Sequence, residues 1–123
     1  MEMKNEAKKW FDKSKQDLIN AEYNFDGNKF DLSAFLIQQS VEKSLKAMQI
    51  EKSDKFDKIH DLLTLAKKLE APEQILKFCS DINPFYTIAR YPDVEEEINR
   101  KTAKDIIEKG KKVFNWIEGN LMQ

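Results

Sequence analysis

The sequence has little of the residues that form disulfides and zinc sites: among its 123 residues are one cysteine and one histidine. Cys79 cannot form an intrachain disulfide, and its apolar neighbours predict a buried free thiol. A zinc site of the Cys/His type needs more ligands than one copy of this chain supplies. No Gly-rich phosphate loop is present, and no serine sits in a nucleophile elbow that could work with His60. We therefore predict no metal, no cofactor and no catalytic residue of these kinds.

Glycine and proline are also scarce, at three each, which disfavours a turn-rich β-sandwich or barrel. No apolar run approaches the roughly 20 residues that span a bilayer, and the first residues contain no apolar signal-peptide core. The net charge of −1 gives no strong general attraction to nucleic acid or to membranes. We expect one cytoplasmic domain over residues 1–123, with no membrane association.

What the sequence does contain is a helical period. Apolar residues recur every three or four positions in five stretches, at about 4–25, 31–51, 59–69, 72–84 and 94–121. This pattern predicts an all-α, up-and-down helical bundle of four to five helices, in which the first two form an antiparallel hairpin and the last packs against both. The expected helix-end residues are Gly27 in a left-handed conformation, Ser53 or Asp57 near the third helix, Pro72 in the first turn of the fourth, and Thr102 or Asp93 before the last.

The second stretch is apolar on more than one side, which is typical of a helix buried centrally, or buried once in its own core and again against a partner. Gln38, Glu42 and Lys46 follow one another at i, i+4 and i+8, and Gln39 and Lys43 form the adjacent row. The order Glu42 then Lys46 favours an ion pair. These polar residues either belong to a solvated helix surface or are partnered across an interface or cleft.

Two further segments stand out. His60 and Asp61 begin the third stretch, where Asp61 in the first turn suits the positive end of a helix, and His60 either caps and packs or takes part in polar recognition. Arg90, one of only two arginines, precedes Tyr91 and Pro92, and the proline forces the chain to leave the helix there. Arg90 either holds this bend through a carboxylate, with Glu42 or Asp93 as partner, or presents its planar guanidinium to a phosphate.

Taken in order, these segments resemble the HEPN family, the nucleotide-binding domain named for higher eukaryotes and prokaryotes. The resemblance covers most of the chain and is carried by four pieces, which are Trp10 with Asp17, Leu18 and Ala21; the block from Ala34 to Ala47; His60-Asp61-Leu62; and Arg90-Tyr91-Pro92-Asp93. It implies a four- to five-helix domain that usually dimerises and works in stress, toxin–antitoxin or defence systems. Many members bind a minimal nucleotidyltransferase. Others are metal-independent RNases that use an Arg-x4–6-His motif in a cleft at the dimer interface.

The sequence departs from the RNase pattern. Glu95 stands five positions after Arg90, Asp105 stands five positions after Arg100, and His60 precedes both arginines. We therefore do not carry the RNase activity over, and our leading hypothesis is a non-catalytic, accessory HEPN-like domain. It would form a homodimer or pair with a nucleotidyltransferase-type partner, and would bind a nucleotide or polyphosphate.

The candidate ligand-binding residues are Arg90, Lys46, Lys43, Glu42, Gln39, His60, Tyr91 and Asp93. One alternative is a metal-independent RNase in which folding brings His60 to Arg90 in a non-standard cleft. The other is a structural helical adaptor in which Arg90 only braces the bend.

Overall fold

The computed structural model describes residues 2–92 and 97–122, and within them the chain forms helices and no strands. The helices are α1 (Asn5–Asp26), α2 (Phe30–Ser53), α3 (Leu62–Lys68), α4 (Glu73–Ile82), α5 (Phe85–Ile88) and α6 (Arg100–Leu121). The predicted all-α class is confirmed, with α5 as a single added turn. None of the helices in the described ranges is long and apolar enough to cross a membrane.

Helices α1 and α2 form the antiparallel hairpin that the sequence predicts. Ser14 Oγ donates to the carbonyl of Ser40 at 2.7 Å, and Ser40 Oγ donates back to the carbonyl of Ser14 at 2.8 Å. Nearer the turn, Ser33 Oγ donates to the carbonyl of Ala21 at 2.7 Å. These serines are buried, and their small side chains let the two backbones approach closely.

Helix α6 packs against both members of the hairpin, as predicted. The rings of Phe11 and Phe114 are stacked with centroids 5.0 Å apart, and Gly110 of α6 lies against Ile37 of α2. The predicted apolar stripe of α6 is buried along its length. Helix α4 runs antiparallel to α6, because Lys109 Nζ lies 3.0 Å from an Asp81 carboxylate oxygen while Lys112, three residues later, lies over the ring of the earlier residue Phe78.

Helix α2 is the centre of the bundle. It contacts α1, α6 and the shorter helices α3, α4 and α5, and most of its residues are buried. Its apolar character on several sides is therefore accounted for by neighbours within the same chain. Central burial, one of the two interpretations of that pattern, is therefore confirmed.

The ends of the helices differ in detail from the prediction. The left-handed residue after α1 is Asn28, with φ 63°, whereas Gly27 has φ −86°. Asparagine tolerates this conformation better than most residues, and its side-chain oxygen accepts a hydrogen bond from Arg100 Nη2 at 2.6 Å. The side chain of Asn28 thus ties the α1–α2 turn to the start of α6, which Gly27 could not do.

Three other helix starts lie later than predicted. Helix α3 begins at Leu62 with Asp61 as its N-cap, so neither Ser53 nor Asp57 caps it, and His60 precedes it. Helix α6 begins at Arg100, because the side chain of Asn99 accepts a hydrogen bond from Thr102 N at 2.9 Å. Thr102 is therefore the residue that donates to the cap, while the other candidate, Asp93, lies outside the described residues. Pro72 precedes α4, which begins at Glu73.

Candidate functional site

A buried row of polar side chains runs along α2. Gln38, Glu42 and Lys46 are 0%, 6% and 4% exposed. Lys46 Nζ lies 2.9 Å from Glu42 Oε2, which confirms the predicted ion pair, and Gln38 Nε2 donates to Glu42 Oε1 at 3.1 Å. The Lys46 ammonium also lies 5.9 Å from the centroid of the Trp10 ring and 5.5 Å from that of Phe56. The pair is therefore inside the domain, so it does not belong to a solvated helix surface.

His60 extends this row to the surface. Its Nδ1 lies 3.0 Å from Glu42 Oε2 and 3.2 Å from Oε1, although the two residues are far apart in the sequence. Burial by itself raises the pKa of Glu42, but hydrogen bonds from Lys46, His60 and Gln38 outweigh it, and the pKa lies below its ordinary value. The His60 side chain is 55% exposed, whereas Glu42 beneath it is not. A fixed, ionised carboxylate thus orients an exposed imidazole.

Tyr86 brings His60 and Arg90 to one place. The rings of His60 and Tyr86 are stacked at 4.5 Å with an angle of 18°, and Arg90 Cζ lies 4.6 Å from the centroid of the same tyrosine ring. Arg90 is also 5.7 Å from the ring of Tyr91, which is 48% exposed. Helix α5, begun by Pro84, carries Tyr86 and sets this arrangement. The surface formed by His60, Tyr86 and Arg90 is named here the Tyr86 surface.

Two open grooves border the Tyr86 surface. We call the first the His60 groove; it measures about 350 Å³ and is lined by His60, Asp61, Ser80, Asn83, Pro84, Tyr86 and Thr87. The second, of about 500 Å³, contains Arg90 and Tyr91 among its lining residues, together with Phe30 and Asp31 from the start of α2. His60 and Arg90 therefore face neighbouring grooves across one aromatic ring.

The neighbouring row of α2 is tied to α1. Lys43 Nζ lies 2.6 Å from Asp17 Oδ2 and 3.4 Å from Gln39 Oε1, and Gln39 Nε2 donates to Gln38 Oε1 at 2.7 Å. Asp17 is buried. Lys43 and Gln39 are thus linked to the site through Gln38, and neither contacts His60 or Tyr86 in the described part of the chain.

The position of His60 depends on a cap that joins α3 to α4. Asp61 accepts from Thr64 N at 3.0 Å and also from the Asn83 side-chain amide, whose oxygen in turn accepts from Leu62 N at 2.9 Å. These hydrogen bonds, those of Thr64 first and that of Asn83 next, lower the pKa of Asp61. The residue that follows His60 is therefore held rigidly against the end of α4.

Of the sequence candidates, folding brings Glu42, Lys46, His60 and Arg90 into one connected set. The predicted clamp between Arg90 and Glu42 is not formed, because Glu42 pairs with Lys46 and His60 instead. Its alternative partner, Asp93, lies outside the described residues. The sequence reasoning missed Tyr86, whose position two residues after Pro84 in an aromatic segment was the available signal.

Cys79 does not belong to this site. It is a buried free thiol, as predicted, and burial raises its pKa to about 12. A thiol with such a pKa is a poor nucleophile at neutral pH. Within residues 2–92 and 97–122, no three His, Cys, Asp or Glu side chains come together as a metal site.

Residues 7–120 match the family model described as the HEPN domain. The chain belongs to the HEPN family. The crystal structure of TT1696 from Thermus thermophilus has a similar fold, with a TM-score of 0.89 at 20% identity over 96% of this chain and 100% of that one. ST0689, described as an archaeal HEPN homologue, is 26% identical with a TM-score of 0.80, over 94% of this chain and 97% of its own. No curated protein matches the chain.

Proposed function

We propose that this HEPN domain is a non-catalytic binding domain that binds a nucleotide or polyphosphate at the Tyr86 surface. The observation that carries the proposal is the placement of Arg90 and His60 against one tyrosine ring, 4.6 Å and 4.5 Å from its centroid. A guanidinium offers paired donors to phosphate oxygens, and the imidazole of His60, whose side chain is 55% exposed, offers a hydrogen-bonding group for the rest of the ligand.

The lysines contribute to this proposal indirectly. Lys46 is 4% exposed and is bound to Glu42, and Lys43 is bound to Asp17. An ammonium already held by a carboxylate adds little attraction for a phosphate. Lys46 and Lys43 therefore hold the carboxylates of Glu42 and Asp17 in place. Arg90 is the cation that contacts the ligand.

A thermal-shift titration with ATP and other nucleotides tests the binding. We expect the melting temperature to rise, since a ligand at about 100 times its Kd stabilises the folded state by about 2.7 kcal/mol. Arg90→Ala should abolish the rise and Arg90→Lys should reduce it, because lysine keeps the charge but lacks the planar fork. Lys15→Ala is the control, since Lys15 is also a cation over an aromatic ring, 5.0 Å from the centroid of Phe11, and it lines neither groove. No rise with any nucleotide, or equal rises in wild type and Arg90→Ala, would exclude this role.

We further propose that the domain forms a homodimer or pairs with a nucleotidyltransferase-type partner through the outer face of α2. Leu32, Leu36, Gln39 and Lys43 follow one another at helical spacing along that face. Leu32 is 44% exposed and the other three are half-buried, so the rest of the chain covers this strip only in part. A strip of apolar side chains with a polar end is suited to a protein interface.

Size-exclusion chromatography with light scattering tests the dimer, and co-purification with a nucleotidyltransferase encoded beside the gene tests the alternative pairing. A mass of twice 14.5 kDa is expected for the dimer. A strict monomer at tens of micromolar that also fails to bind such a neighbour would count against the interface. The adjacent gene would also indicate whether the setting is a toxin–antitoxin or defence system.

A second candidate function, a metal-independent RNase, is favoured by one specific observation. Folding brings His60 to the Arg90 side of the molecule through Tyr86, although the Arg-x4–6-His motif is absent. An imidazole oriented by Glu42 can serve as a general acid or base, and Arg90 could stabilise a phosphorane. Incubation with RNA and a chelator tests this. Cleavage that disappears in both His60→Ala and Arg90→Ala would replace the binding proposal with the enzymatic one.

A further inference from the structure

The contact between Glu42 and His60 determines which imidazole nitrogen faces outward. Both oxygens of the Glu42 carboxylate lie within 3.2 Å of Nδ1, and the lowered pKa of Glu42 means that this carboxylate accepts and does not donate. Nδ1 of a neutral ring must therefore carry the proton. Nε2, on the other edge of the ring, then has a lone pair and accepts a hydrogen bond.

The Glu42 carboxylate cannot turn away from His60 at little cost. It is 6% exposed, its Oε2 is bound to Lys46 and its Oε1 accepts from Gln38. Moving it would leave the Lys46 ammonium buried without a counterion, which is strongly unfavourable. The buried ion pair therefore holds the tautomer and the orientation of His60 together.

The His60 groove offers groups that suit hydroxyls and amines better than phosphate. Besides His60, its polar lining consists of the Asp61 carboxylate, the Ser80 and Thr87 hydroxyls and the Asn83 amide. No lysine or arginine lines this groove in the described part of the chain, and the Asp61 charge would repel a phosphate. The neighbouring groove also contains carboxylates, those of Asp31 and Glu97, and it differs from the His60 groove in containing a guanidinium, that of Arg90.

We infer that the His60 groove binds the nucleoside part of a nucleotide, which donates a hydrogen bond from a hydroxyl or amine to His60 Nε2 while Arg90 holds the phosphate. Glu42 is the positioning residue that makes Nε2 an acceptor. The inference rests on the proposed function, because it divides the same ligand between the His60 groove and Arg90, which both border the Tyr86 ring.

Nitrogen-15 NMR of the full chain tests the tautomer directly. His60 is the only histidine, so its two ring nitrogens can be observed without ambiguity. At alkaline pH, where an imidazole is neutral, the two-bond proton–nitrogen spectrum should show a protonated Nδ1 and an unprotonated Nε2. In the double variant Glu42→Gln/Lys46→Met, which leaves no buried charge unpaired, the ring should show a mixture of tautomers. The opposite tautomer in the wild type, or no change in the double variant, would overturn the role of Glu42.

The binding experiments use the four nucleoside monophosphates, their parent nucleosides and inorganic pyrophosphate. We expect monophosphates and nucleosides to shift the His60 Nε2 resonance, and pyrophosphate to leave it unchanged. Arg90→Ala should abolish pyrophosphate binding but leave nucleoside binding. Thr87→Val should weaken nucleoside binding roughly three- to tenfold, the usual loss for one hydrogen bond. Thr102→Val on α6 is the control and should have no effect.

The two proposals fail in different ways. If monophosphates bind in an Arg90-dependent way while nucleosides do not bind and Nε2 does not shift, the division of the ligand is wrong and the proposed function stands. If none of the phosphorylated probes binds, the proposed function falls and this inference falls with it.

Discussion

At the scale of the residue, Glu42 makes the contacts on which both the buried polar row and the orientation of His60 depend. It is a carboxylate at 6% exposure that binds an ammonium, an imidazole and an amide at once. Burying an ion pair is costly, and only good geometry with further hydrogen bonds offsets that cost. Glu42 meets this condition through Lys46, His60 and Gln38, which is why a polar row is tolerated at the centre of an apolar helix.

Removing one member of the pair should destabilise the domain more than removing both. Glu42→Leu leaves Lys46 buried without a counterion, and we expect a loss of about 3–5 kcal/mol in the free energy of unfolding. Lys46→Met should cost less, because His60 and Gln38 still bind the carboxylate. The double variant Glu42→Leu/Lys46→Met should recover most of the loss. Urea denaturation of the three variants measures this, and an additive double variant would show that the two charges do not interact.

The lowered pKa of Glu42 also predicts an acid dependence. Because the folded-state pKa lies below the ordinary value of 4.5, the contribution of Glu42 to stability is present above that value and is lost as the pH falls through the lower, folded pKa. The wild type should therefore lose stability relative to Glu42→Leu/Lys46→Met as the pH falls. The difference between their free energies of unfolding measures this loss. Asp57 and Asp61, whose pKa values are also lowered, remain in both proteins and cancel in the comparison. A difference that is independent of pH would contradict the assignment.

At the scale of the element, helix packing is set by small residues at the contacts. Ser14 and Ser40 bring α1 against α2, and Gly110 does the same for α6 against α2. A Cβ built on Gly110 would clash with Cγ2 of Ile37, which is fully buried and cannot move aside. The absence of a side chain there is what allows α6 to lie close to the central helix.

Alanine substitutions at two glycines of α6 should therefore have opposite effects. Gly110→Ala should lower stability by about 1–3 kcal/mol, the usual cost of overpacking, less the gain in helix propensity. Gly119→Ala is the matched control, since nothing lies within 4 Å of a Cβ built there, and it should stabilise the helix by up to about 1 kcal/mol. Thermal unfolding of both variants gives the comparison. A Gly110→Ala variant as stable as Gly119→Ala would mean that α6 does not pack so closely on Ile37.

At the scale of the whole molecule, the bundle places its distinctive groups on one side of α2. Helix α5 carries Tyr86, the segment before α3 carries His60, and both lie on the side of α2 where the buried row ends, while α1 and α6 pack on other sides. One strip of α2 is covered only in part, and it begins at Leu32, which is 44% exposed. The proposed interface thus lies on the central helix, and the proposed ligand surface is connected to the same helix through the contact of His60 with Glu42.

Substitution of exposed apolar residues should distinguish this strip from the rest of the surface. We expect Leu32→Glu to weaken the homodimer at least about tenfold, the effect of losing an interface anchor. Ile19→Glu is the control, because Ile19 is 60% exposed and lies on the outer face of α1. Light scattering over a concentration series measures both. A dimer disrupted by Ile19→Glu and not by Leu32→Glu would move the interface to α1.

The sequence predicts a structural feature well when that feature depends on residues close together in the chain, and poorly when it depends on residues far apart. The apolar stripe of α6 follows from spacings of three and four residues. It is buried as predicted, because the spacing within one helix is enough to identify its apolar face. The pattern places the start of α3 too early because apolar Ile59 extends it, whereas the N-cap residue Asp61 is held by Asn83, which follows α4 and is distant in the sequence. Propensity alone favours Gly27 as the left-handed residue, but Asn28 takes that conformation, and its side chain makes a hydrogen bond with Arg100 that glycine could not make.

The sequence by itself determined the helical class, the α1–α2 hairpin, the Glu42–Lys46 ion pair and the membership of the HEPN family, since each depends on residues close together or on an ordered pattern along the chain. The tertiary structure alone decided that this ion pair is buried, that Glu42 orients His60, and that Tyr86 joins His60 to Arg90. Those contacts connect α2 and α5 with the segments that precede α3 and follow α5, and their distances depend on how the helices pack, which no local pattern of side chains encodes.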